Sequence, residues 1–155
     1  MQPKVEKHNK LYITGITGNG NQTGDVWSDF EARYDSKPFP KKDEHGYEIR
    51  FYDAEKPAPK DMDIHVGFLT ANSDCSNDFT TIELPAAEYA IFDVCITNGY
   101  DSGNAAMDKW LADNAMRYKP QKLDGVSYII EVYNEKFANS IVEFWVPVCA
   151  AAKDA

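Results

Sequence analysis

Glu131 is the side chain best placed to do chemistry, because it interrupts an apolar and aromatic run, Ile129-Ile130-Glu131-Val132-Tyr133. A carboxylate enclosed by such neighbours loses hydration, and a bound cation restores the stabilisation of its charged form. Ring faces beside it would add roughly 0.5–2 kcal/mol each for a desolvated ammonium or guanidinium. The chemistry implied is recognition of an organic cation.

Strand alternation supplies the companions of Glu131. Alternate side chains share a face, so Ile129, Glu131 and Tyr133 line one side of a strand while Ile130 and Val132 belong under helices on the other. Val142, Phe144 and Val146 make a matching apolar row on the following run, which leaves Glu143 and Trp145 for the side of Glu131 and Tyr133. In the first half of the chain Ile49 and Phe51 would face the helices, placing Arg50 and Tyr52 on the open side. The expected ligand-binding residues are therefore Glu131, Tyr133, Trp145 and Tyr52, with Trp27 and Trp110 reaching the rim from helices. A plainer role stands beside this one: Glu131 as a solvated strand residue or the ion-pair partner of Arg50, and Trp27, Phe30 and Trp110 as helix core.

Other chemistry finds no support in the spacing. Gly15-Ile16-Thr17-Gly18-Asn19-Gly20 precedes a helix, yet no Gly-Lys-Ser/Thr follows and the dinucleotide spacing is not met. His8, His45 and His65 are scattered singly, away from any metal-ligand spacing. No Ser or Cys sits in a nucleophile elbow. Neither a cofactor nor a metal is expected.

The elements that must position these residues follow from periodicity and breakers. Leu11 to Ile16 has strand character, Gly18 to Gly24 forms a loop, and Asp25 caps a helix running to about Tyr34 with Trp27, Phe30 and Tyr34 near one face. Tyr47 to Tyr52 and Ile64 to Thr70 read as strands joined through Pro57 and Pro59. Phe79 to Val94 reads as strand broken at Pro85, and Asp101 or Ser102 caps a helix to about Met116 whose apolar face is Met107, Trp110, Leu111 and Ala115. Lys119-Pro120 ends it, and Val126 to Tyr133 pairs with Ile141 to Val148 around a turn at Asn134 to Asn139. The order β-α-β-β thus occurs twice, over about 11–70 and 79–148. The expected fold class is α+β: one antiparallel sheet with both helices on one face and a ligand cleft on the other.

Composition bounds the remaining possibilities. The chain of 155 residues is long enough for one buried core, and 1–155 is expected to form a single domain. A net charge of −9, with basic residues in short clusters such as Lys41-Lys42, disfavours direct nucleic-acid binding and favours a cationic ligand. Eight Phe, nine Tyr and three Trp provide rings enough to line a cavity as well as fill a core. Cys75, Cys95 and Cys149 stand far apart with no Cys-x-x-Cys, which fits a reduced, cytoplasmic setting. Met1 to Lys10 has no apolar core and no run reaches membrane-spanning length, so neither a signal peptide nor a membrane role is expected.

A set of separate motifs carries a family resemblance: Leu84-Pro85-Ala86-Ala87-Glu88-Tyr89-Ala90-Ile91-Phe92, then Gly99, the Trp110-Leu111 helix, Glu131-Val132-Tyr133, and Ile141 to Val148 ending in Pro147-Val148. Over Leu11 to Val148 the chain resembles the GyrI-like, or effector-binding, domain of bacterial multidrug-responsive transcription regulators of the AraC and MerR types. That resemblance implies a duplicated β-α-β-β domain whose central cleft, lined by rings and a buried Glu, receives lipophilic cations. The matching acid is Glu131. The regulators carry a helix-turn-helix region that this chain has no room for, so a stand-alone module that sequesters or senses a drug-like cation is expected. Two alternatives follow from other relatives that the chain resembles. One is a hydrolase of electrophilic cyclopropane-bearing compounds, with Glu131 as general base and Tyr133 or Trp145 orienting the substrate. The other is a gyrase-inhibitor-like module that binds a protein partner. A homodimer is compatible with either.

Overall fold

The computed structural model describes residues 2–52, 63–97 and 99–150, so the connection expected at Pro57 and Pro59 lies outside the described residues. Among the described residues, ten strands and two α-helices follow one another: β1 (Lys4–His8), β2 (Leu11–Asn19), α1 (Thr23–Ser36), β3 (Gly46–Tyr52), β4 (Asp63–Thr70), β5 (Thr80–Leu84), β6 (Ala87–Cys95), α2 (Asp101–Asp113), β7 (Tyr118–Pro120), β8 (Lys122–Leu123), β9 (Val126–Tyr133) and β10 (Ile141–Ala150). The class is α+β, as expected.

The strands form one antiparallel sheet in the order β1-β6-β10-β9-β3-β4-β2-β5, with β7 on β10 and β8 on β9. Exchanging β1 with β5, β2 with β6, β3 with β9 and β4 with β10 reverses this order onto itself. The repeat is therefore β-β-α-β-β, one strand longer than the sequence suggested. Two edge strands account for the difference. The polar opening contains β1, whose Lys4 lies opposite Ile91, and Pro85 separates two strands that join different neighbours. Each half lends its first strand to the other half.

This exchange forces the sheet to curl. Only Asn9 and Lys10 link β1 at one edge to β2 near the other, and only Pro85 and Ala86 link β5 to β6. Two residues span well under about 15 Å. The result is a half-barrel whose inner row, drawn from both halves, includes Ile13, Ile49, Leu84, Tyr89, Ile91, Ile130, Val132 and Trp145. Neither α1 nor α2 contributes to that core.

Both helices pack on the opposite face. Val26 and Phe30, one turn apart, carry α1 onto Ile64 and Val66, with Trp27 and Tyr34 flanking. The helix begins at Thr23, so Asp25 sits in the first turn instead of capping it, and the Lys37 amide closes the end on the Arg33 carbonyl before Pro38. Met107 brings α2 onto Phe92, Val94, Val142, Phe144 and Val146. Gly103 permits that approach, since a Cβ there would lie 2.4 Å from Val94 Cγ1. This helix stops at Asp113, and the Lys119-Pro120 expected to end it belongs to Tyr118–Pro120, which pairs with the end of β10.

The phase of the central strands differs from the expectation. Ile130, Val132 and Ile49 lie in the half-barrel interior, while Ile129 and Tyr133 belong to the face beneath α2. A wholly apolar row on a flat sheet would need helices to cover it. A curled sheet buries such a row against itself.

Candidate functional site

The centre of the helix-bearing face is built by β3 and β9, the middle strands of the two halves. Their register sets Glu48 opposite Glu131 and Arg50 opposite Ile129. Both carboxyl groups are buried, Glu48 at 0% and Glu131 at 4% exposure, so water does little to stabilise a charge on either. Arg50 holds the two together: its Nε lies 2.7 Å from Glu48 Oε2 and 2.7 Å from Glu131 Oε2. Its guanidinium also donates to Thr23 Oγ1 at 2.9 Å, tying the sheet to the start of α1.

Each carboxylate also meets an aromatic wall. Trp27 Nε1 donates to Glu48 Oε1 at 2.8 Å, and the Tyr133 hydroxyl donates to Glu131 Oε1 at 3.4 Å. The Trp27 and Tyr133 rings meet edge to face at 5.9 Å, and Phe137 stands against Tyr133 at 5.2 Å. These three rings, with Phe68, Tyr100 and Gly46, line an open cavity of about 460 Å³ between α1 and the start of α2. Gly46 makes room for the indole, because a Cβ there would lie 3.0 Å from the Trp27 ring. A second cavity of about 440 Å³ lies along α2 at the other end of the same strand face, where Tyr52 and Ile129 meet Met107, Asp108, Leu111 and Val146.

Electrostatics follow from this crowding. Burial, then the neighbouring Glu48 carboxylate, push the Glu131 carboxyl up to about 8, against the opposing pull of Arg50. Burial opposes the Arg50 charge, but the Glu48 and Glu131 carboxylates outweigh it and keep the guanidinium ionised. Burial and Glu131 raise the Tyr52 hydroxyl to about 12, and raise those of Tyr133 and Tyr100 as well. At neutral pH the tyrosines are therefore neutral donors.

The residues singled out from sequence separate into two groups. Glu131, Tyr133, Tyr52 and Trp27 share the helix-bearing face, with Arg50 paired to Glu131 as the plainer reading held. Trp145 does not join them. The register places Phe144, not Trp145, opposite Glu131, so Trp145 points into the half-barrel, 8% exposed, against Tyr47, Tyr89 and His8. Its Nε1 donates to Glu143 Oε1 at 3.0 Å, and Glu143 pairs with Lys136 at 2.9 Å. Trp110 packs α2 onto Phe92 and stacks on Tyr118, and it lines neither cavity. The cleft expected opposite the helices is thus replaced by one between them.

Glu48, Tyr100, Phe137 and Gly46 were not anticipated. Glu48 alternates with Arg50 and Tyr52, so its signal lay in the same pattern that selected them. Tyr100 precedes α2 and Phe137 lies in a short 3-10 turn, positions with no periodicity to read. Among the described residues no group of three His, Cys, Asp or Glu side chains is arranged to hold a metal ion, and no helix is long and apolar enough to cross a membrane.

Comparison with known proteins agrees with this architecture. The model of the integron-associated effector-binding protein family, Cass2, matches residues 7–148. No curated protein matches significantly. Among solved structures, SAV2435 bound to tetraphenylphosphonium is similar at a TM-score of 0.66 and 15% identity, over 96% of this chain and 94% of that one. The EcmrR C-terminal domain gives a TM-score of 0.68 at 11% identity, covering 97% and 98%. The integron cassette protein VCH_CASS2 of Vibrio cholerae gives 0.55 at 13%, covering 96% and 97%. These likenesses establish a shared GyrI-like fold, and the family match establishes membership: the chain belongs to the integron-associated effector-binding proteins, a family of small-molecule binders.

Proposed function

We propose that this protein binds a lipophilic, aromatic organic cation in the cleft between α1 and α2, serving as a module for sensing or sequestering such compounds. The observation that carries this reading is the pairing of two buried carboxylates with one guanidinium behind aromatic walls. With both acids ionised the cluster has one negative charge to spare, and a ligand's positive charge would balance it. Trp27 and Tyr133 offer ring faces to the ligand while their polar atoms hold the carboxylates. The neighbour bound to tetraphenylphosphonium supports the class of ligand, and the net charge of −9 favours its approach.

Calorimetric titration with tetraphenylphosphonium tests the reading. Glu131→Gln keeps the shape of the site and removes one of its two acids, so it should weaken binding by more than tenfold, about 1.4 kcal/mol. An unchanged dissociation constant in that variant would overturn the assignment of Glu131 to the ligand's charge.

A further inference from the structure

The Glu48, Glu131 and Arg50 cluster has a charge balance that a simple anionic pocket lacks. Two carboxylates facing each other in register, both buried, share one guanidinium 2.7 Å from an oxygen of each. Fully ionised, the cluster would hold one uncompensated negative charge away from water, which is costly in a low-dielectric site. Trp27 and Tyr133 donate hydrogen bonds but bring no charge. Among the described residues, the groups facing the cluster from other elements bring no further cation. From α1 come Trp27 and Glu31, from the residue before α2 Tyr100, from α2 Asp108, from β3 Tyr52, and from β10 Phe144. Either one proton or one further cation must complete the balance.

We propose that in the free protein Glu48 and Glu131 share a single proton, and that a bound organic cation takes its place and expels it to solvent. Glu48 is then the second carboxylate of the site, and Arg50 holds the pair together in both states. The inference rests on the cation-binding reading above. Per ligand, one carboxyl O–H bond breaks, the proton leaves to bulk water, and the cluster passes from Arg⁺, Glu⁻, GluH to Arg⁺, two Glu⁻ and the ligand cation. Net charge in the cleft stays at zero. The raised Glu131 carboxyl agrees with the free state so described. Ligand choice follows: a permanently charged phosphonium or quaternary ammonium must compete with a proton, so acid conditions discharge it.

Calorimetry of tetraphenylphosphonium binding at pH 6.5, in buffers of different ionisation enthalpy, counts the protons released. About one per ligand is expected, with affinity rising about tenfold from pH 6 to pH 7. In Glu48→Gln the remaining acid is balanced by Arg50 alone, so release should vanish and the affinity should lose its pH dependence. The Glu131 carboxyl carbon, followed by NMR in the free protein, should titrate near the value that the shared proton sets and fall by roughly 2 units in Glu48→Gln. Binding without proton release in the unmodified protein overturns the exchange and leaves the cation reading standing. No binding from pH 6 to pH 9, in a protein whose Glu131 still titrates high, overturns the cation reading and the exchange with it. Both of these outcomes are read on the unmodified chain, so they hold even where the variant fails to fold.

Discussion

Trp27 serves Glu48 in two capacities that one substitution can separate. Its indole N–H is a donor to a carboxylate with 0% exposure, and its ring walls the larger cavity. Trp27→Phe keeps an aromatic wall and deletes the donor, leaving one oxygen of a buried acid without its protein partner. Losing a hydrogen bond to a buried charged group costs about 1.5–3 kcal/mol. Urea denaturation of Trp27→Phe should show a loss of that size. A change below about 0.5 kcal/mol would mean that water replaces the indole.

At the level of elements, the decisive fact is the register of β9 between β3 and β10. It sends Glu131 to the helices and Trp145 into the half-barrel. Trp145→Phe should therefore destabilise the fold by about 1–3 kcal/mol, through lost volume and the lost bond to Glu143, while leaving the affinity for a cation within about twofold. Thermal melts and a titration on one preparation check both halves of that statement. The same register explains what the sequence made legible. Alternation within β9 and β3 correctly grouped Glu131, Tyr133, Arg50 and Tyr52, because a period of two is a property of each strand alone. It failed between β9 and β10, because the relative phase of two strands depends on the curl of the whole sheet. The strand at Lys4–His8 was illegible for a related reason: an edge strand with charged residues lacks the apolar alternation that marks a half-buried one.

For the whole molecule, the buried acid pair sets a dependence of stability on pH. The Glu131 carboxyl stands at about 8 in the folded chain against an ordinary 4.5, so the folded state holds a proton that the unfolded chain releases between these values. Stability from this group is complete below pH 4.5 and is lost as pH rises through about 8. The slope from one such group is at most about 1.4 kcal/mol per pH unit, or about 3–6 °C in melting temperature for a chain of this size. A melting temperature that falls from pH 6 to pH 8 in the unmodified protein, and a flatter profile in Glu131→Gln, are the expected results. A rise over that range would show that other groups dominate.

The lending of β1 and β5 between halves also governs the order in which the protein can be assembled during synthesis. When the first half has emerged from the ribosome, β1 still lacks β6, and β2 has an open edge where β5 will later pair. Neither half can close its sheet alone, and the inner core needs residues from both. Pairings between distant strands close slowly because chain entropy is lost before contacts compensate it. The nascent N-terminal half therefore waits with a bare strand edge, the condition under which chains of this kind associate wrongly with one another.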